Sequence, residues 1–293
     1  MNKLVRMISE DGTLYCLALN STEMVKEMQN IHKTSKVCSA ALGRLITAGS
    51  MMGVLLKGNK DTLTLKINGG GPASPVVAVA NSKGQVKGYI GDRTVNLPLN
   101  NKGKLDVSGA VGKNGFLTVI KDLGLKEPYC AQTPIISGEI AEDITAYYAT
   151  SEQTPTVCAL GVLVDPETEE VLLAGGFLIQ LLPTADENTI SLVEKGLNGI
   201  KPVTTMLAEG LTPEQICQTV LPEFSMQLLD TQEVEYKCDC SEERVTAALI
   251  GAGADGLREM AEDENTEVVC HFCNKKYVFS RKNILKLLEE ATK

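Results

Sequence analysis

Four cysteines in two close pairs constrain this chain more than any other feature: Cys238-Asp239-Cys240, an interval of 29 residues, then Cys270-His271-Phe272-Cys273. Two thiolate pairs separated by a segment long enough to fold back can meet at one tetrahedral Zn2+, at about 2.3 Å per Zn–S bond. The candidate metal ligands are therefore Cys238, Cys240, Cys270 and Cys273, for one Zn2+ per chain. The second pair has the two-residue spacing of a zinc knuckle, whereas the first has one residue between its sulfurs, which common ribbons and fingers do not use. A one-residue gap still lets both sulfurs reach a metal, and loss of the metal would leave two close dithiols ready to oxidise. Spacing alone is compatible with a closed site that staples a small domain and equally with a redox switch. His271 is read as a non-ligand, because four thiolates already fill the tetrahedron. A hydrolytic zinc needs an open position for water, which this set does not offer, so no catalytic residues are assigned.

With 293 residues and 43% hydrophobic content the chain can build about two domains with real cores. The net charge of −9 opposes a nucleic-acid backbone unless a local basic patch overrides it. Lys275, Lys276, Arg281, Lys282 and Lys286 do cluster, but within a stretch from Tyr236 to Lys293 that holds 9 basic and 11 acidic residues, so a solvated face is the reading adopted. Nine cysteines without an apolar leader point to a reducing compartment: Met1 to Leu19 is interrupted by Lys3, Arg6, Glu10 and Asp11. A cytoplasmic protein is expected. Cys16, Cys38, Cys130, Cys158 and Cys217 stand singly and read as small buried hydrophobes.

Lys3 to Asn20 reads as two strands around a turn at Glu10-Asp11-Gly12, and Thr22 as the cap of a helix carrying Met24, Val25, Met28 and Ile31 on one face. His32 falls in the polar turn that follows and reads as a surface histidine. Val37 to Leu56 is a long helix and the one candidate for a membrane span, but Arg44 at its middle would cost about 2.5–3.5 kcal/mol in a bilayer, so a buried core helix is expected. From Thr62 the period becomes two. Strands are expected around Leu63–Ile67, Val76–Ala80, Val86–Ile90, Leu117–Ile120, Gln132–Ile136, Val157–Val164 and Val171–Phe177. Gly69-Gly70-Gly71 lacks the Lys-Ser/Thr of a phosphate cradle and reads as a loop. Glu139, Glu142 and Asp143 read as acids that complement a helix start.

The expected organisation is α+β in three parts. Residues 1–183 form a mixed β-sheet domain with packed helices, 184–230 a linker of short helices, and 231–293 a small C-terminal zinc-binding domain. Helices shorter than about 12–15 residues are marginal alone, so the linker is a candidate conditional element, held only by its neighbours. The last module has few large apolar residues, Phe272, Tyr277 and Phe279 among them, and would be marginal without metal.

Taken together these residues resemble one family, the redox-regulated bacterial heat-shock holdases called the 33 kDa chaperonin. The resemblance covers nearly the whole chain. It is carried by Cys238-Asp239-Cys240-Ser241-Glu242-Glu243-Arg244, by Cys270-His271-Phe272-Cys273 with Tyr277 and Phe279, by Gly138 to Asp143, by Ser151-Glu152-Gln153-Thr154-Pro155 and by Gly176 to Pro183. Thr184, where relatives often have glycine, is a departure that leaves the quartet untouched. The resemblance implies a reduced, zinc-bound, inactive chaperone rather than an enzyme. Oxidation in such a chaperone pairs Cys238 with Cys240 and Cys270 with Cys273, expels the metal and unfolds the linker. The active form would hold unfolding client proteins without ATP, as a homodimer, with no nucleic-acid or membrane partner. Two other classes stay open on the residues themselves: a zinc-ribbon-type nucleic-acid or ribosome-binding protein, and a thiol oxidoreductase.

Overall fold

A computed structural model describes residues 2–291, so the outermost residues of the first and last expected domains lie outside it. The chain divides into two compact units, the first running to Lys237 and the second beginning at Cys238.

The first unit is built around a helix that sequence patterning already marks as apolar. Helix α1 (Thr22–His32) leads into α2 (Lys36–Gly53), in which only Lys36 and Arg44 escape full burial. Ser35 caps α2 by accepting from the Cys38 amide at 3.4 Å. The cap of α1 differs from expectation. Ser21 occupies that position, and the Thr22 hydroxyl instead donates to Asn20 at 2.8 Å, inside the helix start.

Helix α2 is buried on all sides because a sheet lies on each side of it. One sheet is five-stranded and antiparallel. It comprises β1 (Lys3–Ser9), β2 (Leu14–Asn20), β8 (Thr156–Val164), β9 (Val171–Leu181) and β10 (Met226–Glu233), in the order β10-β1-β2-β9-β8. The other contains β3 (Thr62–Gly70), β4 (Val76–Asn81), β5 (Gln85–Ile90), β6 (Gly112–Asp122), β7 (Tyr129–Pro134) and the short β11 (Glu235–Tyr236), ordered β11-β5-β4-β3-β6-β7. Its pairs are antiparallel except β11 with β5. A one-turn α3 (Val107–Val111) precedes β6, and α4 (Ala141–Tyr147) runs into a π-helical turn over Tyr148–Glu152.

The glycine triplet is not simply a loop. Gly69 and Gly70 finish β3, and a Cβ at Gly69 would sit 2.0 Å from the Gly112 carbonyl oxygen, so the crossing of β3 and β6 requires the missing side chain.

The expected linker folds within the first unit as α5 (Glu187–Leu197), α6 (Val203–Ala208), α7 (Pro213–Val220) and then β10. Asp186 and Thr212 cap α5 and α7 through reciprocal capping boxes. Strand β10 departs from the all-helical expectation for residues up to 230. It shows no buried alternation, and pairing with β1 rather than burial holds it.

The second unit contains α8 (Glu242–Gly251), α9 (Gly253–Met260), the hairpin β12 (Asn265–Val269) and β13 (Lys276–Ser280), and α10 (Arg281–Ala291). Ser280 caps the last helix, accepting from the Asn283 amide at 3.3 Å. Among the described residues no helix is long and apolar enough to cross a membrane.

Candidate metal centre

The hairpin of the second unit places one cysteine pair and the segment before α8 places the other. Cys270 follows β12 and its amide donates to the Lys275 carbonyl at 2.9 Å, while the Asn274 amide donates back to the Cys270 carbonyl at 2.8 Å. Asn274 adopts φ +58°, a left-handed value that asparagine tolerates better than most residues, and this tight turn brings Cys273 back beside Cys270. On the other side Ser241 caps α8 through the Arg244 amide at 3.3 Å, and Arg244 pairs with Asp239 between the two sulfurs.

All four Sγ atoms lie within 4.8 Å of one another, with Cys238 to Cys270 at 3.7 Å and Cys240 to Cys273 at 3.4 Å. A tetrahedron of thiolates at Zn–S distances near 2.3 Å has sulfurs about 3.8 Å apart, so the donor set fits Zn2+ in number, type and spacing. His271 contributes no atom to this cluster.

The four thiols are not equivalent. Burial works against the Cys240 thiolate, but hydrogen bonds from Tyr277, at 3.1 Å, and from Cys273, Cys238 and Cys270 outweigh it and draw the pKa down to about 7. Burial pushes Cys273 up to about 11, and it pushes Cys238 up further. Cys240 therefore carries thiolate character more readily than Cys238 or Cys273.

Three of the basic side chains beside the cluster make contacts within the module. Lys275 lies over the Tyr277 ring at 5.0 Å, Lys276 pairs with Glu267 at 3.0 Å, and Arg281 donates to the carbonyls of Ala261, at 2.6 Å, and Glu262. Two acids of the Gly138–Asp143 segment, Glu139 and Asp143, are engaged as well. Glu139 pairs with Arg44 at 2.7 Å. Buried Asp143 accepts from the amides of Ile136, Ser137, Gly138 and Ile140, at 2.8, 3.1, 3.4 and 3.0 Å. It thereby holds Ile140 at φ +70°, a conformation that a β-branched residue avoids.

Two sequence readings are corrected. His32 is not on the surface: it is 4% exposed, and its Nε2 lies 2.9 Å from the hydroxyl of Tyr236, which also donates to the Gly88 carbonyl at 2.8 Å. That partner is 204 positions away, out of reach of local pattern reading. Cys16, Cys38, Cys158 and Cys217 are buried as expected, but Cys130 is exposed, because its face of β7 is turned outward.

A second feature escaped the motif reading. In β1, β2 and β9 successive side chains enter different cores: Leu4, Leu17, Leu19 and Leu178 pack with α2, whereas Val5, Met7, Leu14, Cys16, Ala18, Phe177 and Ile179 pack with Val193, Val203, Met206, Ile216 and Val220 of α5, α6 and α7. Strands apolar on both faces are the sequence signature of a sheet covered on both sides.

The chain is similar to known proteins along nearly its whole length. A family model described as "Hsp33 protein" matches residues 2–280. A 33 kDa chaperonin of Clostridium botulinum (strain Eklund 17B / Type B) is 47% identical over 293 residues, covering 100% of this chain and 99% of that protein. One from Clostridium perfringens (strain SM101 / Type A) is 49% identical over 294 residues, covering 100% and 93%. Among solved structures, the crystal structure of the 33 kDa chaperonin (heat shock protein 33 homolog) from Thermotoga maritima superposes with a TM-score of 0.90 at 35% identity, over 99% of each chain. With its four-cysteine cluster, two-sheet unit and full-length relatives, this chain belongs to the Hsp33 family, whose members are chaperones and not enzymes.

Proposed function

We propose that the chain is a redox-regulated, ATP-independent holdase, silent when its four C-terminal thiolates hold Zn2+ and active once they are oxidised. The observation that carries this reading is the meeting of Cys238, Cys240, Cys270 and Cys273 within 4.8 Å in a module with only seven buried apolar residues among those described. Bound Zn2+ would supply the folding free energy that such a small core lacks, of order 10–16 kcal/mol in comparable peptides. Oxidation to Cys238–Cys240 and Cys270–Cys273 disulfides removes all four ligands, and the module then has too little apolar surface to stay folded.

The change is relayed through the chain itself. Cys238 follows directly on the segment 184–237, which begins with three helices of 11, 8 and 6 residues. Helices this short rely on packing, so loss of their anchor favours release. Release uncovers Val5, Met7, Leu14, Ala18, Phe177 and Ile179, an apolar sheet face suited to unfolded clients. In this reading residues 1–183 are the chaperone core, 184–230 the conditional linker and 231–293 the redox switch, and the active protein is a cytoplasmic homodimer.

The test is suppression of client aggregation by the zinc-loaded reduced chain and by the peroxide-treated chain, side by side. Holding by the oxidised form alone is the expected result. Equal holding by both forms, or a full equivalent of zinc retained when all four cysteines are replaced by serine, overturns the reading.

A further inference from the structure

The contact between linker and sheet contains two thiols of its own. Cys16 lies in β2 among the residues facing α7, in register with Leu14 and Ala18, and Cys217 lies on the buried face of α7 with Ile216 and Val220. Both are buried, and the Cys217 Sγ is 3.9 Å from the Cys16 carbonyl oxygen across 201 positions of sequence. Burial, and after it the neighbouring Cys217 thiol, pushes the Cys16 thiol well above its usual range, so Cys16 is unreactive while the helix is docked. The other buried cysteine with a local partner differs: Cys38 donates to the Asp92 carbonyl at 3.3 Å, within the static core.

We propose that Cys16 and Cys217 form a second redox pair, which peroxide converts into a disulfide fastening α7 to β2. One thiolate attacks a peroxide oxygen and breaks the O–O bond, giving a sulfenic acid and water after protonation. The second thiolate attacks that sulfur, forming the S–S bond and releasing the sulfenic oxygen as a second water. Two thiols are oxidised by two electrons and one peroxide is reduced.

The docked helix excludes the oxidant, so the pair reacts only when α7 lifts and recloses. Its place in time follows: it forms after the C-terminal quartet has been oxidised. The long loop it closes strongly restricts the open ensemble, so the bridge returns the linker to the sheet and limits how long the apolar face stays uncovered. This regulatory role rests on the switch reading above, whereas the existence of the pair does not.

The experiment treats the zinc-loaded full-length chain with hydrogen peroxide for increasing times, alkylates remaining thiols after denaturation, and maps peptides without reduction. Hydrogen exchange is read over Pro213–Val220 in the same samples and in Cys217→Ala. The expected result is a Cys16–Cys217 linked peptide that appears after the quartet disulfides, with exchange over α7 slower by about tenfold or more than in Cys217→Ala at the same oxidation. Full alkylation of Cys16 and Cys217 in chains whose quartet is oxidised overturns the proposal, as does their pairing with other cysteines. Equal exchange in the bridged chain and in Cys217→Ala overturns the regulatory role. Should α7 of Cys217→Ala stay protected after quartet oxidation, the switch reading fails, while the linked peptide still establishes the pair.

Discussion

The two units solve the same problem with different resources. In the first, α2 lies between two sheets and supports a continuous apolar core, with Leu42, Leu45, Ile46 and Met51 fully removed from water. In the second, Val245, Leu249, Leu257, Tyr277, Phe279, Ile284 and Leu287 make up the buried set, and the cysteine cluster borders it through Cys240 and Cys270. Apolar burial contributes about 25 cal/mol per Å², so the first unit has stability to spare, and in the proposed reading the second depends on a few ligands. Between these extremes lies the stretch from α5 to β10, folded on the first unit but through short helices and a strand paired on an edge. A chain built this way can lose structure in order, from the metal module inward.

The most forceful way to break the comparison is metal removal. Chelation under reducing conditions is expected to cost the second unit about 10–16 kcal/mol of apparent stabilisation and to abolish exchange protection between Val245 and Leu287. Protection over α2 should persist. Hydrogen exchange with mass spectrometry checks both, and parallel loss over Val37–Met52 would mean the units are not energetically distinct.

A smaller effect is expected inside the robust unit. Asp143→Ala leaves three amides of the Ile136–Ile140 turn without an acceptor, at about 1–3 kcal/mol each, for a total of about 3–9 kcal/mol. Urea unfolding followed by far-UV circular dichroism measures it, and zinc content should not change. A loss of under about 1 kcal/mol would show that water replaces the carboxylate there.

Ile216→Ala probes the middle tier. Truncating this fully buried side chain is expected to cost about 2–5 kcal/mol, confined to the linker helices. Exchange over Glu187–Val220 should rise, and the reduced zinc-loaded protein should begin to hold clients. If exchange rises equally over α2, the linker is an integral part of the core rather than a separable layer.

The mildest perturbation is Thr212→Ala. The hydroxyl accepts from the Gln215 amide at 3.3 Å, and the Thr212 amide donates to the Gln215 side chain at 2.9 Å. Its loss is expected to cost about 0.5–2 kcal/mol and to lower the oxidant dose at which clients are first held. An unchanged dose response would separate the stability of α7 from activation.

What the amino-acid sequence determined by itself is everything that depends on near neighbours. Cys238, Cys240, Cys270 and Cys273 declare a candidate four-thiolate site because the spacing within each pair is a short-range property, and the alternation of Leu63, Leu65 and Ile67 declares a strand because the pleat has a period of two. The apolar run around Leu42–Met51 marks a buried helix for the same reason. Tertiary structure decided the rest. His32 is buried because Tyr236 arrives from the far end of the first unit, and Cys130 is exposed because its face of β7 is turned outward. The exposed side chains of β10 carry no strand pattern, and β1 supplies the hydrogen bonds that make it one. The facing of Cys16 and Cys217 has the same origin. Pairing, burial and the meeting of distant side chains are set by which surfaces the folded chain brings together, and residues some two hundred positions apart leave no local trace of that meeting.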